Sequence, residues 1–425
     1  MGVVVCIVFE VFIVIYFFEM HSLVVWSRNF YLIGMTDNCI NHEYYLRPSD
    51  RVLALIRRIF HNKPEFRHDS LKHVARFAPV IPLMGGRPDL SKTLNRVVTF
   101  ADGSNPLHFG APIVLAAGAN KTAKRICDFA NMGFGGISVG TATRHVREGN
   151  THRPRIGFIE KDRAIHNSMG LNNDGVDAVT RRVDVQISAA HRTQMCVGIS
   201  VAETPGLTDE AEKIKDIVES FSIAYRVADY IEINVSCPNT GENRLDLDMS
   251  FIDKIFSEIK NYRDAQSYRK AVYAKLSPDM EETHTATIMD ALLKAGVNGV
   301  VIGNTYPTKK IANLPVHAKF EELTPLRADG DRGGMSGRPL YENMVRNVKF
   351  IREHYPQMSV MACGGIDHGY KIYDLIKLGV DAVQCYSVVA FRWMAAHAMR
   401  QELLEALSKD GYKTLADYDA KNPKR

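Results

Sequence analysis

The sequence predicts an α/β protein, a (β/α)8 TIM barrel preceded by a small N-terminal segment that is helical and membrane-associating. Three observations carry this expectation. Eight short apolar runs of strand length recur between residues 112 and 386, amphipathic stretches of helical period fill most of the gaps between them, and the loops after the runs collect glycine and asparagine. Eight alternating βα units over about 300 residues are the arithmetic of a closed barrel rather than of an open sheet. A chain of 425 residues suits one such barrel with added segments. With 46% apolar and 24% charged residues, the composition is that of a folded globular protein. The formal charge of +5 is mild, with no long basic stripe, so nucleic acid is not an expected partner.

The first 35 residues depart from that average. Val3 to Phe18 is almost wholly apolar, interrupted by Glu10, and Leu23 to Trp26 adds a second apolar stretch. A spanning helix needs roughly 20 apolar residues, so the segment is a marginal membrane anchor carrying a costly carboxylate. No basic n-region or Arg-rich presequence precedes Arg28. Three readings stay open: an uncleaved anchor, an upstream extension that is not made because Met20 or Met35 is the start, and a buried helix.

Residues 41–95 form the next unit. Ser49 or Asp50 can cap a helix with the stripe Val52, Leu55, Ile56, Ile59 and Phe60, and Asp69 or Ser70 a second with Leu71, Val74, Ala75 and Ala78. Their other faces carry Arg51, Arg57, Arg58, Lys63, Arg67, Lys72 and Arg76. Such basic amphipathic helices read as a surface lying on an anionic membrane, or as a helical lid on the main domain.

The barrel is expected over 100–415. Its strands fall at Pro112 to Ala117, Gly136 to Gly140, Met195 to Val201, Tyr230 to Val235, Val272 to Leu276, Gly299 to Gly303, Ser359 to Cys363 and Ala382 to Tyr386. Helical patterns cover Thr122 to Met132, Asp209 to Arg226, Ser250 to Tyr262, Glu282 to Ala295, Leu340 to His354, Lys371 to Leu378 and Phe391 to Leu407. In such barrels the chemistry sits on loops after the strands. The first of these loops holds Gly118 and Lys121, a long insertion after the second holds Asn167 and Asn172, Asn234 and Asn239 flank the end of the fourth, and Asn304 with Thr305 ends the sixth. A carboxamide offers donors and an acceptor, matching the alternating edge of a pyrimidine-like ring or a flavin; turn-forming asparagine explains any one of the five alone. The paired glycines Gly364 and Gly365 after strand seven, with Tyr386 and Ser387 after strand eight, stand where barrels commonly hold a phosphate. A second cluster, Gly333 to Pro339, is long enough to fold over a bound cofactor. No G-x-G-x-x-G lies between a strand and a helix, which disfavours an NAD site. The seven cysteines include no C-x-x-C pair, which argues against a disulfide framework, a metal site and an iron–sulfur cluster and places the barrel in a reducing compartment.

The runs Leu115-Ala116-Ala117-Gly118, Asn234-Val235-Ser236-Cys237-Pro238-Asn239, Lys275-Leu276-Ser277-Pro278-Asp279, Gly333 to Leu340 and Cys363-Gly364-Gly365-Ile366-Asp367 resemble the dihydroorotate dehydrogenase family over nearly all of Arg47 to Leu407. The segment Pro64-Glu65-Phe66-Arg67-His68 further resembles the membrane-associated, quinone-reducing class 2 branch, whose two N-terminal helices form the quinone entrance. The resemblance implies FMN-dependent oxidation of (S)-dihydroorotate to orotate in pyrimidine biosynthesis, with electrons passed to a quinone at a bacterial or mitochondrial inner membrane. It implies that Ala117, Gly118, Thr141, Ser200, Asn234, Lys275 and Gly303 line the flavin, and that Gly337, Gly365, Tyr386 and Ser387 hold its phosphate. Lys121, Asn167, Asn234, Asn239, Asn304 and Thr305 bind the orotate ring. Cys237 takes the proton from C5 while a hydride leaves C6, and Lys275 faces the flavin N1 and O2 edge. The chain departs from the pattern at Cys237, where class 2 members carry serine, at Ser200 and Glu203, where asparagine and lysine are usual, and at Asn120, where aspartate is. These departures leave two alternatives: a related FMN oxidoreductase acting on another dihydropyrimidine or using a soluble acceptor such as fumarate, and a flavin-binding or membrane-tethered protein without turnover. Retention of both Cys237 and Lys121 argues against the second.

Overall fold

The computed structural model of the chain describes residues 92–235, 249–316, 333–392 and 394–423, together with three short strands in the first 27 residues. Those strands, Val4–Val8, Phe12–Phe17 and Ser22–Ser27, pair antiparallel in chain order. The helical forms weighed for this segment are therefore replaced by sheet. Its Val, Ile, Phe and Tyr are the residues that pack best on a pleated surface. Among the described residues no helix is long and apolar enough to cross a membrane. The expected amphipathic helices between residues 49 and 78 lie outside the described residues.

The barrel closes as the spacing predicts. Its eight parallel strands are β1 (Ile113–Leu115), β2 (Gly136–Ala142), β3 (Cys196–Val201), β4 (Tyr230–Asn234), β5 (Ala271–Leu276), β6 (Gly299–Ile302), β7 (Ser359–Cys363) and β8 (Ala382–Cys385), each bonded to the next and β8 to β1. The helices are α1 (Ile126–Asn131), α2 (Val176–Arg192), α3 (Glu210–Tyr225), α4 (Met249–Asp264), α5 (Glu282–Lys294), α6 (Tyr341–His354), α7 (Gly369–Lys377), a short α8 (Ser387–Phe391), α9 (Ala395–Lys409) and α10 (Leu415–Lys421). Periodicity missed α2, along with the short helices α8 and α10. The α2 sequence is rich in Val, Ile and Thr, which lowers helical propensity, yet Val176, Val179 and Val183 form a buried stripe against the sheet. Asp209 caps α3 as its residue type suggests, its side chain accepting from the Glu212 N–H.

Side chains along each strand alternate between two cores. Ile231 and Ile233 of β4 pack outward among the helices, while Tyr230 joins Tyr273, Val301 and Met361 in the barrel interior. A hairpin of Arg96–Val98 and Leu107–Phe109 closes the floor, since Val98, Leu107 and Phe109 belong to that same interior cluster. The floor requires glycine beside its tyrosines: a Cβ on Gly198 would stand 2.2 Å from the Tyr230 ring. With the floor filled by aromatic rings, the C-terminal mouth is left for chemistry.

Two segments read as loops are ordered there into a sheet. The insertion after β2 contributes Ile156–Ile159 and Ala164–Asn167, and the glycine cluster after β6 contributes Gly334–Gly337, which pairs with Ala164–Asn167 on one side and Tyr306–Pro307 on the other. The cluster expected to fold over a cofactor is thus a strand of a four-stranded sheet.

Candidate active site

Because side chains alternate, Asn234 at the end of β4 and Lys275 at the end of β5 share the inner face, and the two are register partners. From Asn234 a polar chain runs across the mouth. Its amide donates to Thr141 Oγ1 at 3.0 Å, Thr141 lies 3.0 Å from the Ser200 hydroxyl, and Asn304 Nδ2 donates to Asn234 Oδ1 at 3.0 Å. Asn304 Oδ1 in turn accepts the Thr305 N–H at 2.8 Å. Four strand ends are thereby fixed relative to one another. Ser200, shorter than the asparagine usual in the resembled pattern, is not idle: it engages Thr141 instead of reaching over the cavity.

Lys275 is buried, its ammonium 3.3 Å from Glu232 Oε1 and 3.3 Å from Gln384 Oε1. Gln384 Nε2 donates to Glu232 Oε2 at 2.7 Å, and Ser138 Oγ donates to the same oxygen at 3.2 Å. Glu232, Gln384 and Ser138 were not singled out from sequence. The signal was present, since in Tyr230-Ile231-Glu232-Ile233-Asn234 the period of two that turns Asn234 inward turns Glu232 inward also.

Above this polar floor one cavity is lined by Ala116, Ala117, Lys275, Gly303, Asn304, Thr305, Gly337, Gly364, Gly365, Tyr386 and Ser387. It thus gathers nine of the expected site residues. Thr141, Ser200 and Asn234 stand beside it in the polar chain. Gly118 follows β1 with φ +101 and donates its N–H to Gly140 O at 2.7 Å. Lys121 and Asn167 do not line this cavity: Lys121 donates to Asn172 Oδ1 at 2.5 Å, and Asn167 ends the strand Ala164–Asn167. Asn120 is turned aside, its amide donating to Lys124 O at 2.9 Å. Cys237 and Asn239 lie outside the described residues.

At the glycine end of the cavity the chain packs closely against the start of α6, so a side chain on the cradle's own Gly365 has no room. Gly365, at φ +69, would place a Cβ 2.7 Å from Tyr341 N and 2.8 Å from Arg338 O. Asp367 beside it pairs with Arg338 at 3.0 Å and Lys371 at 2.9 Å. Burial opposes its ionisation, but those two cations and His368 hold its carboxyl below the usual range. From the far side Glu402 of α9 accepts the first N–H of α7, Gly369, at 2.7 Å, and pairs with Arg392 and His368. Despite burial, these partners pull its carboxyl down to about 2. Sequence spacing contained no sign of this clamp, which joins two helices and the loop after β8.

The arrangement fits a flavin that carries a phosphate. Small residues at Ala116, Ala117 and Gly303 leave a slot for a flat ring, a buried ammonium stands at one edge, and the glycine cradle with Tyr386 and Ser387 can receive a phosphate. Thr305 Oγ1 is buried with no hydrogen-bond partner among the described residues, as expected of a hydroxyl whose partner is a ligand. Among the described residues no cluster of His, Cys, Asp or Glu could hold a metal ion.

Comparison with known proteins places this geometry among relatives. Residues 104–407 match the family model described as dihydroorotate dehydrogenase. A dihydroorotate dehydrogenase (quinone) of Dichelobacter nodosus is 33% identical over 292 residues, covering 67% of this chain and 82% of the relative. One from Halobacterium salinarum is 30% identical over 311 residues, covering 73% of this chain and 82% of the relative. Among solved structures, ligand-free DHODH from Eimeria tenella superposes with a TM-score of 0.70 at 27% identity, over 83% of this chain and 97% of that one.

Proposed function

This chain belongs to the dihydroorotate dehydrogenase family, and from that premise we propose that it oxidises (S)-dihydroorotate to orotate with FMN as its cofactor and a quinone as electron acceptor, in pyrimidine biosynthesis. The observation that carries the reading is the buried Lys275 at the edge of a slot whose opposite end is the Gly337 and Gly365 cradle.

When bound, FMN supplies the two-electron acceptor for oxidation of the C5–C6 bond and passes the electrons on. Within the protein, Ala117, Gly118 and Gly303 give the flat ring room, and Lys275 presents positive charge where negative charge develops. Asn234 and Asn304, already tied to each other and to Thr141, offer carboxamides in fixed orientations to the substrate ring. Thr305 lines the same cavity, and Lys121 and Asn167, which stand outside its lining, would with Asn239 complete the polar surroundings of the substrate, the Lys121 ammonium suiting its carboxylate. Cys237 removes the C5 proton as general base; a thiol with a reference pKa of about 8.5 ionises more readily than the serine usual at that position. The quinone approaches between the helices expected at residues 49–78, whose basic faces rest on the membrane surface.

The visible spectrum of the purified protein tests cofactor and substrate together. A flavin band that bleaches on adding dihydroorotate without oxygen, and returns with ubiquinone faster than with fumarate or NAD, is expected. A yellow protein that dihydroorotate does not bleach contradicts the substrate; a colourless one contradicts the cofactor.

A further inference from the structure

Burying a lysine in a barrel interior disfavours its charged form, by up to 3–5 pKa units where no partner compensates. Lys275 is 4% exposed, yet its role at the slot requires an ammonium. Its surroundings supply the compensation from three strands. Glu232 of β4, fully buried, stands 3.3 Å away, and Gln384 of β8 turns its oxygen to the same ammonium at 3.3 Å. The amide orientation is fixed by chemistry, because the reverse would aim an N–H2 at the ammonium and an oxygen at the carboxylate. Ser138 of β2 holds the remaining carboxylate oxygen together with Gln384. Among the described residues, the titratable groups facing this cluster include the Cys363 thiol of β7 and the Tyr230 phenol one layer below. Burial pushes Cys363 up even though Lys275 pulls the other way, and burial and then Glu232 push Tyr230 up. Both stay neutral, and Glu232 is the carboxyl group in direct contact with the ammonium.

Resting on the FMN reading above, we propose that Glu232 is a positioning residue that, through the ring it forms with Gln384, keeps Lys275 protonated whether the flavin site is oxidised or reduced. The proton count follows. With Lys275 already charged, two electrons entering the site bring one proton from solvent, and the negative charge left over faces the ammonium. With Glu232 neutral, Lys275 gives up its proton in the oxidised site and recovers it on reduction, so two electrons bring two protons. A purely structural Glu232, filling space in the barrel, would change stability but not this count.

Redox titration of the FMN-loaded full chain across the neutral pH range reads the count from the slope of midpoint potential against pH. The parent slope should correspond to one proton per two electrons, and Glu232→Gln should double it. Glu232→Asp, which keeps the charge but withdraws it by one methylene, should retain the parent slope at neutral pH and bend to the steeper one at a lower pH than the parent does. Adding Cys363→Ser to Glu232→Gln should leave the doubled slope intact. An unchanged slope in flavin-loaded Glu232→Gln overturns the inference, as does a doubling that disappears with Cys363. If Glu232→Gln does not fold, Glu232→Asp decides, and a titration curve that coincides with the parent's overturns it. A parent that purifies without FMN defeats the functional reading and this one with it, whereas a flavin-loaded parent with an unaltered variant slope defeats this one alone.

Discussion

At the scale of single residues, the phosphate cradle and the proposed base make different demands. Gly365 stands at φ +69 with backbone atoms where a Cβ would be, so Gly365→Val is expected to purify with little or no FMN while the barrel stays folded. The ratio of flavin absorbance to protein, with circular dichroism as a control on folding, checks this; a variant as yellow as the parent removes the phosphate cradle from Gly365. Cys237 makes a chemical demand. Cys237→Ala should retain FMN yet slow flavin reduction by dihydroorotate about a hundredfold or more, the usual scale of a general base, and stopped-flow reduction at the parent rate would assign the proton elsewhere. Cys237 is proposed from sequence because its neighbours Asn234, Pro238 and Asn239 form a recognisable run, and it lies outside the described residues. Glu232 and Gln384 lie in no such run. Each is a polar residue set among apolar neighbours in its strand, and only its inward direction can be inferred from a period of two.

At the scale of elements, the loops after β7 and β8 are joined by α9, the long helix that follows β8. Glu402 of α9 accepts the Gly369 N–H and pairs with Arg392, whose guanidinium also donates to Asp367 O at 3.0 Å. Glu402→Ala removes the partly buried partner of Arg392, His368 and the Gly369 N–H, a change that costs on the order of 2–4 kcal/mol. It should raise the dissociation constant for FMN by loosening the start of α7 next to the cradle, which flavin fluorescence titration measures; unchanged FMN affinity would confine the clamp to stability. In the N-terminal helices expected from the stripe Val52, Leu55, Ile56, Ile59 and Phe60, a charge is expected to act on one half-reaction only. Leu55→Asp or Ile59→Asp should leave reduction by dihydroorotate intact and slow reoxidation by quinone, because an unpaired charge in an apolar channel costs several kcal/mol or draws in water. Separate stopped-flow measurement of the two half-reactions checks it, and an unaffected quinone step would favour a soluble acceptor. The sequence showed most helices through their apolar period. It hid α2, where β-branched residues imitate a strand, and the mouth sheet, where Gly334–Gly337 has no side-chain pattern to read.

At the scale of the whole molecule, acid should unfold the protein partly through Glu402. Its carboxyl is held at about 2 in the fold against an ordinary value of 4.5. A group with a lowered folded value stabilises the protein above its unfolded pKa and loses that contribution as pH falls toward the folded one. Linkage therefore gives on the order of 3 kcal/mol, lost between about pH 5 and pH 2. Glu402→Gln should flatten the fall of denaturation midpoint over that interval, and a variant as acid-sensitive as the parent would place the effect elsewhere. The sequence alone determined the number and order of the barrel strands, most of the helices between them and the strand ends whose residues meet in the cavity. These are local properties, since alternation of side chains and helical period depend on neighbours a few positions apart. Only the tertiary structure decided which inward residues meet. Glu232, Lys275 and Gln384 are separated by up to 152 positions, and closing the sheet fixes the tilt and stagger of its strands, and with them the register that brings an ammonium, a carboxylate and a carboxamide into one ring. No local signal encodes that register, because it is set by the packing of all eight strands at once.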